Sequence, residues 1–237
     1  MWLLPSMNRP AQAQAVIDAC TDKGMTQAAV LFVDGISNDG YLNIKLPANW
    51  TIFIAGKRVG LTEAMNWTLR QYPSERCYGW LADDTYPETK NWCDIIEYQT
   101  RDWYFCNCYD RYIMDKGKKY NDLVLRGALM TSGLCWGGEL IRSVGWWAYP
   151  QVIQVGIDWI WTELIKDSGI AKYLPDVTVR HDNYRTGRRQ YDITDDAVYN
   201  GYYKSDYFNA KQYLKSDSFK GLHKNIIKQF EAATNGI

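Results

Sequence analysis

Two adjacent carboxylates, Asp83 and Asp84, follow the apolar run Cys77-Tyr78-Gly79-Trp80-Leu81-Ala82. Carboxylates on a turn can share a hard divalent cation, and such an ion neutralises a diphosphate leaving group. The string Asp-Asp-Thr-Tyr-Pro also reads as an ordinary solvated turn, and spacing alone leaves these two readings level. Asp34 closes another apolar run, where it is either a functional carboxylate at a strand end or a turn residue. His181 is one of only two histidines; a lone His is more often structural than a ligand. Around it, Arg180, Arg185, Arg188 and Arg189 could grip phosphate, or form a basic loop offset by Asp192, Asp195 and Asp196.

These groups need elements to hold them. Trp2 to Leu4 reads as a short buried strand, followed by the turn Pro5 to Pro10 and a helix over about 10–23 ended by Gly24. The runs 28–33, 50–54 and 77–82 read as further interior strands, with a helix over about 62–71 between the last two. Strand-helix alternation of this kind predicts an α/β fold with a mostly parallel sheet covered on both faces. Ligands then sit beyond the strand carboxyl ends, where Asp34, Asp83 and Asp84 lie. The second half is less regular. Strands are expected over 103–109, 127–131 and 176–180, and helices over 138–144 and 158–168. Phe219, Leu222, Ile226, Ile227 and Phe230 share one face of a terminal amphipathic helix.

The string Gly79-Trp80-Leu81-Ala82-Asp83-Asp84-Thr85-Tyr86-Pro87, with Asn91-Trp92-Cys93-Asp94 after it, resembles the Asp-x-Asp region of GT-A fold glycosyltransferases. The likeness is greatest to family 2 and its bacterial and phage relatives. Other landmarks fall in the same order: Pro5 to Pro10 resembles the first-strand loop, Leu31 to Gly35 the strand with the nucleotide-contacting Asp, and Gly56 to Asn66 the segment before the next helix. Trp136-Gly137-Gly138-Glu139 with Gly145-Trp146 resembles the acceptor-side loop and helix. Gly156-Ile157-Asp158-Trp159 resembles the motif that supplies the catalytic base, and His181 falls where several members place a metal ligand. The resemblance spans about residues 2–185.

It implies a GT-A catalytic domain over 1–195, with a nucleotide-sugar half (1–100) and an acceptor half (101–195), and a C-terminal helical extension over 196–237. It implies a nucleotide-sugar donor, UDP-sugar favoured, and a divalent metal, Mn2+ or Mg2+, held by Asp84, Asp83 and His181. Ala82 falls at the family's first acidic position, so Asp84 is the stronger metal ligand, while Asp83 faces the ribose or shares the ion. Pro5, Arg9, Asp34, Lys57, Arg58 and Asp83 are the implied donor contacts, and Arg185 and Arg188 the loop that closes on the diphosphate. Trp136, Gly137, Gly138, Glu139 and Trp159 are the implied acceptor side. Asp158 is the implied base of an inverting displacement; the family's acid before it is Ile157 here. The acceptor is a glycan or a hydroxymethylated base in phage DNA.

The bulk composition fits these expectations. Lys plus Arg and Asp plus Glu both total 27 in 237 residues, so no global field favours a polyanion. The apolar start meets Asn8 and Arg9 too soon for a signal-peptide core, and no run reaches membrane-spanning length, which reads as a cytoplasmic protein; the resemblance implies a bacterial cell or phage-infected host. Six cysteines without a paired framework read as reduced core thiols. The 11 Trp and 18 Tyr suit a core as well as a stacking platform. Two other readings stand beside the transferase. A sugar-nucleotide pyrophosphorylase usually carries a Gly-rich phosphate loop, which Pro5 to Pro10 lacks; a carbohydrate- or nucleic-acid-binding module would use aromatics alone.

Overall fold

A computed structural model of the chain describes residues 1–35, 40–110, 134–182 and 189–234. The expected strand over 127–131, and Arg185 and Arg188, lie outside them. Strands β1 (Trp2–Ser6), β2 (Ala29–Val33), β3 (Trp50–Ile54) and β4 (Cys77–Trp80) pair in parallel in the order β3-β2-β1-β4. Successive side chains of a strand point to opposite faces, so Leu3, Val30 and Phe32 enter one core while Trp2, Leu4, Leu31 and Val33 enter the other. Both faces are buried, which is why the sequence shows unbroken apolar runs here and no alternation.

Helix α1 (Pro10–Asp22) begins on a proline, whose fixed φ and missing N–H suit a first helical position. It packs Val16 and Ile17 into the second core beside Ile96 of α3 (Trp92–Thr100). Helix α2 (Leu61–Gln71) covers the opposite face through Ala64 and Met65.

The second half turns the sheet around. Strand β7 (Leu134–Gly137) runs antiparallel to both β4 and β6 (Phe105–Asp110), while β8 (Ala171–His181) lies parallel to β6 and antiparallel to β5 (Thr85–Pro87). The result is one eight-stranded sheet in the order β3-β2-β1-β4-β7-β6-β8-β5. Helices α4 (Gly138–Val144) and α5 (Ile157–Ile165) pack on the face that carries α2, burying Trp136, Trp147 and Trp161.

Three helices close the chain: α6 (Ile193–Gly201), α7 (Tyr203–Lys215) and α8 (Asp217–Thr234). Phe219, Ile226 and Phe230 of α8 are buried in the first core, on the face that the sequence periodicity marked. The expected domain boundary at 195 falls within α6. All six cysteines are free and buried. Among the described residues no helix is long and apolar enough to cross a membrane.

Candidate active site

Parallel pairing brings the carboxyl ends of β1, β2 and β4 to one edge of the sheet, and the chain places polar residues there. Ser6 ends β1, Asp34 follows β2, and Asp83 and Asp84 follow β4 by a short turn. A cavity of about 270 Å3 opens at this edge, and Pro5, Arg9, Asp34, Asp83, Asp84 and His181 all line it.

Asp83 is buried and already bound by protein. Ser6 Oγ donates to its Oδ2 at 2.8 Å, and Arg9 Nη1 approaches its Oδ1 at 3.1 Å. Tyr41 braces this arrangement. Its hydroxyl lies 2.8 Å from Ser6 Oγ and accepts the backbone N–H of Arg9 at 3.0 Å. Burial pushes the Asp83 carboxyl up to about 6, with Arg9 pulling it down and Asp84 pushing it further up.

Asp84 faces a different partner. Pairing of β5 with β8 sets Thr85 opposite His181, and Asp182 N–H donates to Asp84 O at 2.8 Å. This register carries His181 across the sheet to the Asp-Asp turn, so its Nε2 lies 3.2 Å from Asp84 Oδ1. Arg189 Nη2 stands 3.6 Å from the other oxygen of Asp84. Cis ligands of an octahedral ion with bonds of ~2.1 Å lie ~3.0 Å apart. The Asp84–His181 separation is close to that edge, and a carboxylate with an imidazole is a donor set suited to Mn2+. Among the described residues no group of three His, Cys, Asp or Glu side chains gathers as a metal cluster. Asp84 and His181 are the two groups that would hold such an ion, and a bound ligand and water would have to supply its other contacts.

Two arginines and two further aspartates complete the site. Arg9 forms a fork on Asp192, Nε and Nη2 each donating at 2.8 Å, and its Nη2 also lies 3.1 Å from Asp195. Arg189 binds both oxygens of Asp195, at 2.6 and 2.8 Å. Asp192 and Asp195 also form the capping box of α6: Asp192 accepts the N–H groups of Thr194 and Asp195, and Asp195 accepts that of Asp192. Burial opposes ionisation of Asp192, but the Arg9 fork and the backbone donors overcome it and hold the carboxyl at about 2. The start of α6 is thus latched onto the β1 loop, and Thr194 and Val198 join the cavity wall.

The other expected contacts divide. Both oxygens of Asp34 accept backbone N–H groups, from Val59 at 2.6 Å and Gly60 at 3.0 Å, so Asp34 fastens a loop that lines the cavity. Lys57 is exposed and does not line the cavity; the Arg58 guanidinium lies over the Tyr202 ring at 4.8 Å. Asp158 is exposed in the first turn of α5, also outside the cavity, whereas Gln154 just before it lines the wall. Trp159 is partly buried and stacks on Tyr207.

The acceptor-side expectation for Trp136, Gly137, Gly138 and Glu139 needs correction. Trp136 is fully buried among Phe105, Trp147 and Trp161, so its ring meets protein and not solvent. Because β7 is antiparallel to β4, Gly137 pairs with Cys77 and Gly138 N–H bonds Arg76 O, at the end of the sheet opposite Asp83 and Asp84. A Cβ on Gly138 would come within 2.1 Å of Glu75 O, and Glu139 pairs with Arg142. These residues serve close backbone packing.

Sequence reasoning passed over Ser6, Tyr41, Gln154 and the role of Asp192 and Asp195. Ser6 and Tyr41 are single polar residues with no motif. The spacing of Asp192 and Asp195 is a capping-box signal, available in the sequence but read there as solvated charge.

No protein-family model matches the chain, and no curated protein matches it in sequence. Its fold has clear counterparts among solved structures. The mannosyltransferase PcManGT from Pyrobaculum calidifontis, in complex with GDP-Man and Mn2+, superposes at a TM-score of 0.58 and 12% identity over 98% of this chain and 74% of that one. TarS residues 1–349 from S. aureus, in complex with UDP-GlcNAc, superposes at 0.62 and 13% identity over 97% and 70%. GalNAc-T7 with UDP, GalNAc and Mn2+ superposes at 0.59 and 13% identity over 76% of this chain but only 43% of that protein. The fold is that of the GT-A glycosyltransferases. At these identities the likeness establishes the architecture, and the chemistry must be argued from the cavity.

Proposed function

We propose that the protein is a metal-dependent glycosyltransferase that moves a sugar from a nucleotide-sugar donor, UDP-sugar favoured, to an acceptor hydroxyl. The observation that supports it most is the Asp84–His181 pair, which the β5–β8 register sets beside Arg189 in the cavity. A GT-A fold with a carboxylate, an imidazole and a guanidinium converging at this edge suits a metal-bound diphosphate.

In this reading Asp84 and His181 hold the divalent ion, with Asp83 close enough to influence it through charge. A divalent ion held by these residues would supply the charge neutralisation that a departing diphosphate needs. Arg189 lies near Asp84 and grips a phosphate oxygen once it leaves Asp195, and Arg185 and Arg188 belong to the same segment of chain. Pro5 and Asp34 contact the base and ribose in the cavity, and Arg9 keeps Asp83 and the α6 cap in place. Lys57 and Arg58 lie outside the cavity and carry no part of this reading. Asp158 takes the acceptor proton, and inversion follows from a single displacement by the acceptor oxygen.

A panel of nucleoside diphosphates, each with and without Mn2+, tests this by thermal shift. A ligand at 100 times its Kd stabilises by about 2.7 kcal/mol, a rise of roughly 5–10 °C for a chain of this size. UDP with Mn2+ should give such a rise and Mn2+ alone a smaller one. No rise with any nucleoside diphosphate would remove the proposal.

A further inference from the structure

The outer face of α7 carries aromatic rings that neither core uses. Tyr203 and Tyr207 stand one helical turn apart, with centroids 6.3 Å apart and rings only 9° from parallel. Tyr207 continues the row onto Trp159 of α5, at 5.2 Å and 21°. Burial of such rings is favourable, yet Tyr203 remains 43% and Tyr207 46% exposed.

Asp206, three residues after Tyr203 and so on the adjoining side of α7, ties the row to the cavity. Asp206 is 1% exposed, and its carboxylate accepts three successive backbone N–H groups, from Ile153, Gln154 and Val155, at 3.0, 2.8 and 3.0 Å. That grip fixes the segment whose Gln154 lines the cavity and which leads into Asp158 and Trp159. The Gln154 side-chain oxygen in turn accepts the N–H of Leu61, another lining residue. One helix therefore positions the cavity wall through Asp206 and carries the aromatic row on the adjoining, exposed side.

We propose that Trp159, Tyr207 and Tyr203 form a binding platform for a saccharide, which makes the acceptor a glycan. Aromatic rings with polar tips offer an apolar face to the C–H side of a sugar and a hydroxyl to its oxygens. Asp158 beside Trp159 supplies an acceptor for sugar hydroxyls and repels phosphate. A phosphodiester needs a run of cations along the platform; α7 brings Lys204 and Lys211 near the row, α5 brings the carboxylate Asp158, and the whole chain is neutral. The assignment rests on the transferase reading for the word acceptor, while saccharide binding itself does not.

The test uses ligand-observed NMR on the full chain with chito-, cello- and malto-oligosaccharides and with a single-stranded DNA oligomer. At least one saccharide series should bind. Tyr207→Ala and Tyr203→Ala should each weaken it about tenfold, one stacking contact's worth, and Tyr207→Trp should restore it. Both positions are exposed, so folding should survive, as an unchanged thermal shift with Mn2+ and UDP would show. Binding of no saccharide, saccharide binding that ignores both alanine variants, or DNA binding that both abolish would overturn the platform. If Mn2+ and UDP fail to stabilise the wild type while a saccharide still binds through these rings, the transferase reading falls and the platform stands.

Discussion

Arg9 grips Asp192 through two parallel hydrogen bonds of 2.8 Å, joining the loop after the first strand to the cap of a helix near the far end of the sequence. Arg9 is almost fully buried, and the same guanidinium reaches Asp83 and Asp195. Breaking the fork leaves a buried cation short of partners and strips the helix cap. Asp192→Ala should therefore cost about 2–4 kcal/mol of unfolding free energy by urea denaturation. Asp192→Ser, which keeps a capping oxygen, should cost less, and equal losses would show that the ion pair and not the cap matters.

Two of the three carboxylates on Arg9, Asp192 and Asp83, respond to pH with opposite sign. Asp192 is held at about 2, below the ordinary 3.8, so its contribution is present above pH 4 and is lost as pH falls toward 2. Asp83 is raised to about 6, so its protonated form favours the native state below pH 4, and that stability is lost as pH rises through 6. In metal-free buffer, Asp83→Asn should remove a fall of the order of 2 kcal/mol between pH 4 and 6. An unchanged profile over that window would assign the slope to other groups.

Gly60 sits at φ +85° on the cavity wall, held by Asp34 through its N–H. A Cβ there would stand 2.7 Å from Ile153 O and 2.5 Å from its Cγ2. Gly60→Ala combines a left-handed backbone with a clash against main chain, so a loss of about 2–3 kcal/mol is expected. Weakened nucleotide binding should accompany it, since the displaced wall carries Leu61 and Gln154. Calorimetric melting and a UDP titration of the variant check both parts.

Asp158→Asn removes the proposed base without touching the cavity lining. Turnover should fall by at least about 100-fold, while stabilisation by Mn2+ and UDP stays at the wild-type level. Retained turnover would move the base elsewhere.

What the sequence revealed follows from how local each signal was. The first four strands and α1 and α2 were legible because unbroken apolar runs and end-of-helix signals are local. So was the placing of Asp34, Asp83 and Asp84 at strand carboxyl ends. The neighbour of Asp84 was not legible from spacing: His181 reaches it only through β5, a three-residue strand too short to announce itself. Trp136 was misplaced because an apolar Trp-Gly-Gly reads alike as core or platform, and the antiparallel direction of β7 decides between them. Helices α6 and α7 fall within or beside the expected helical extension over 196–237, but their individual bounds were not legible because their faces mix tyrosine, aspartate and lysine, and tertiary packing, through Asp206 inward and Tyr213 against Tyr149, selects them.

Mn2+ affinity in the presence of UDP, read by electron paramagnetic resonance of the free ion, tests the central claim most directly. Wild type should bind one Mn2+ per chain, and Asp84→Asn and His181→Ala should each weaken it at least about tenfold, with folding unchanged by circular dichroism. Equal Mn2+ affinity in wild type and both variants would contradict the assignment of this pair as the metal site.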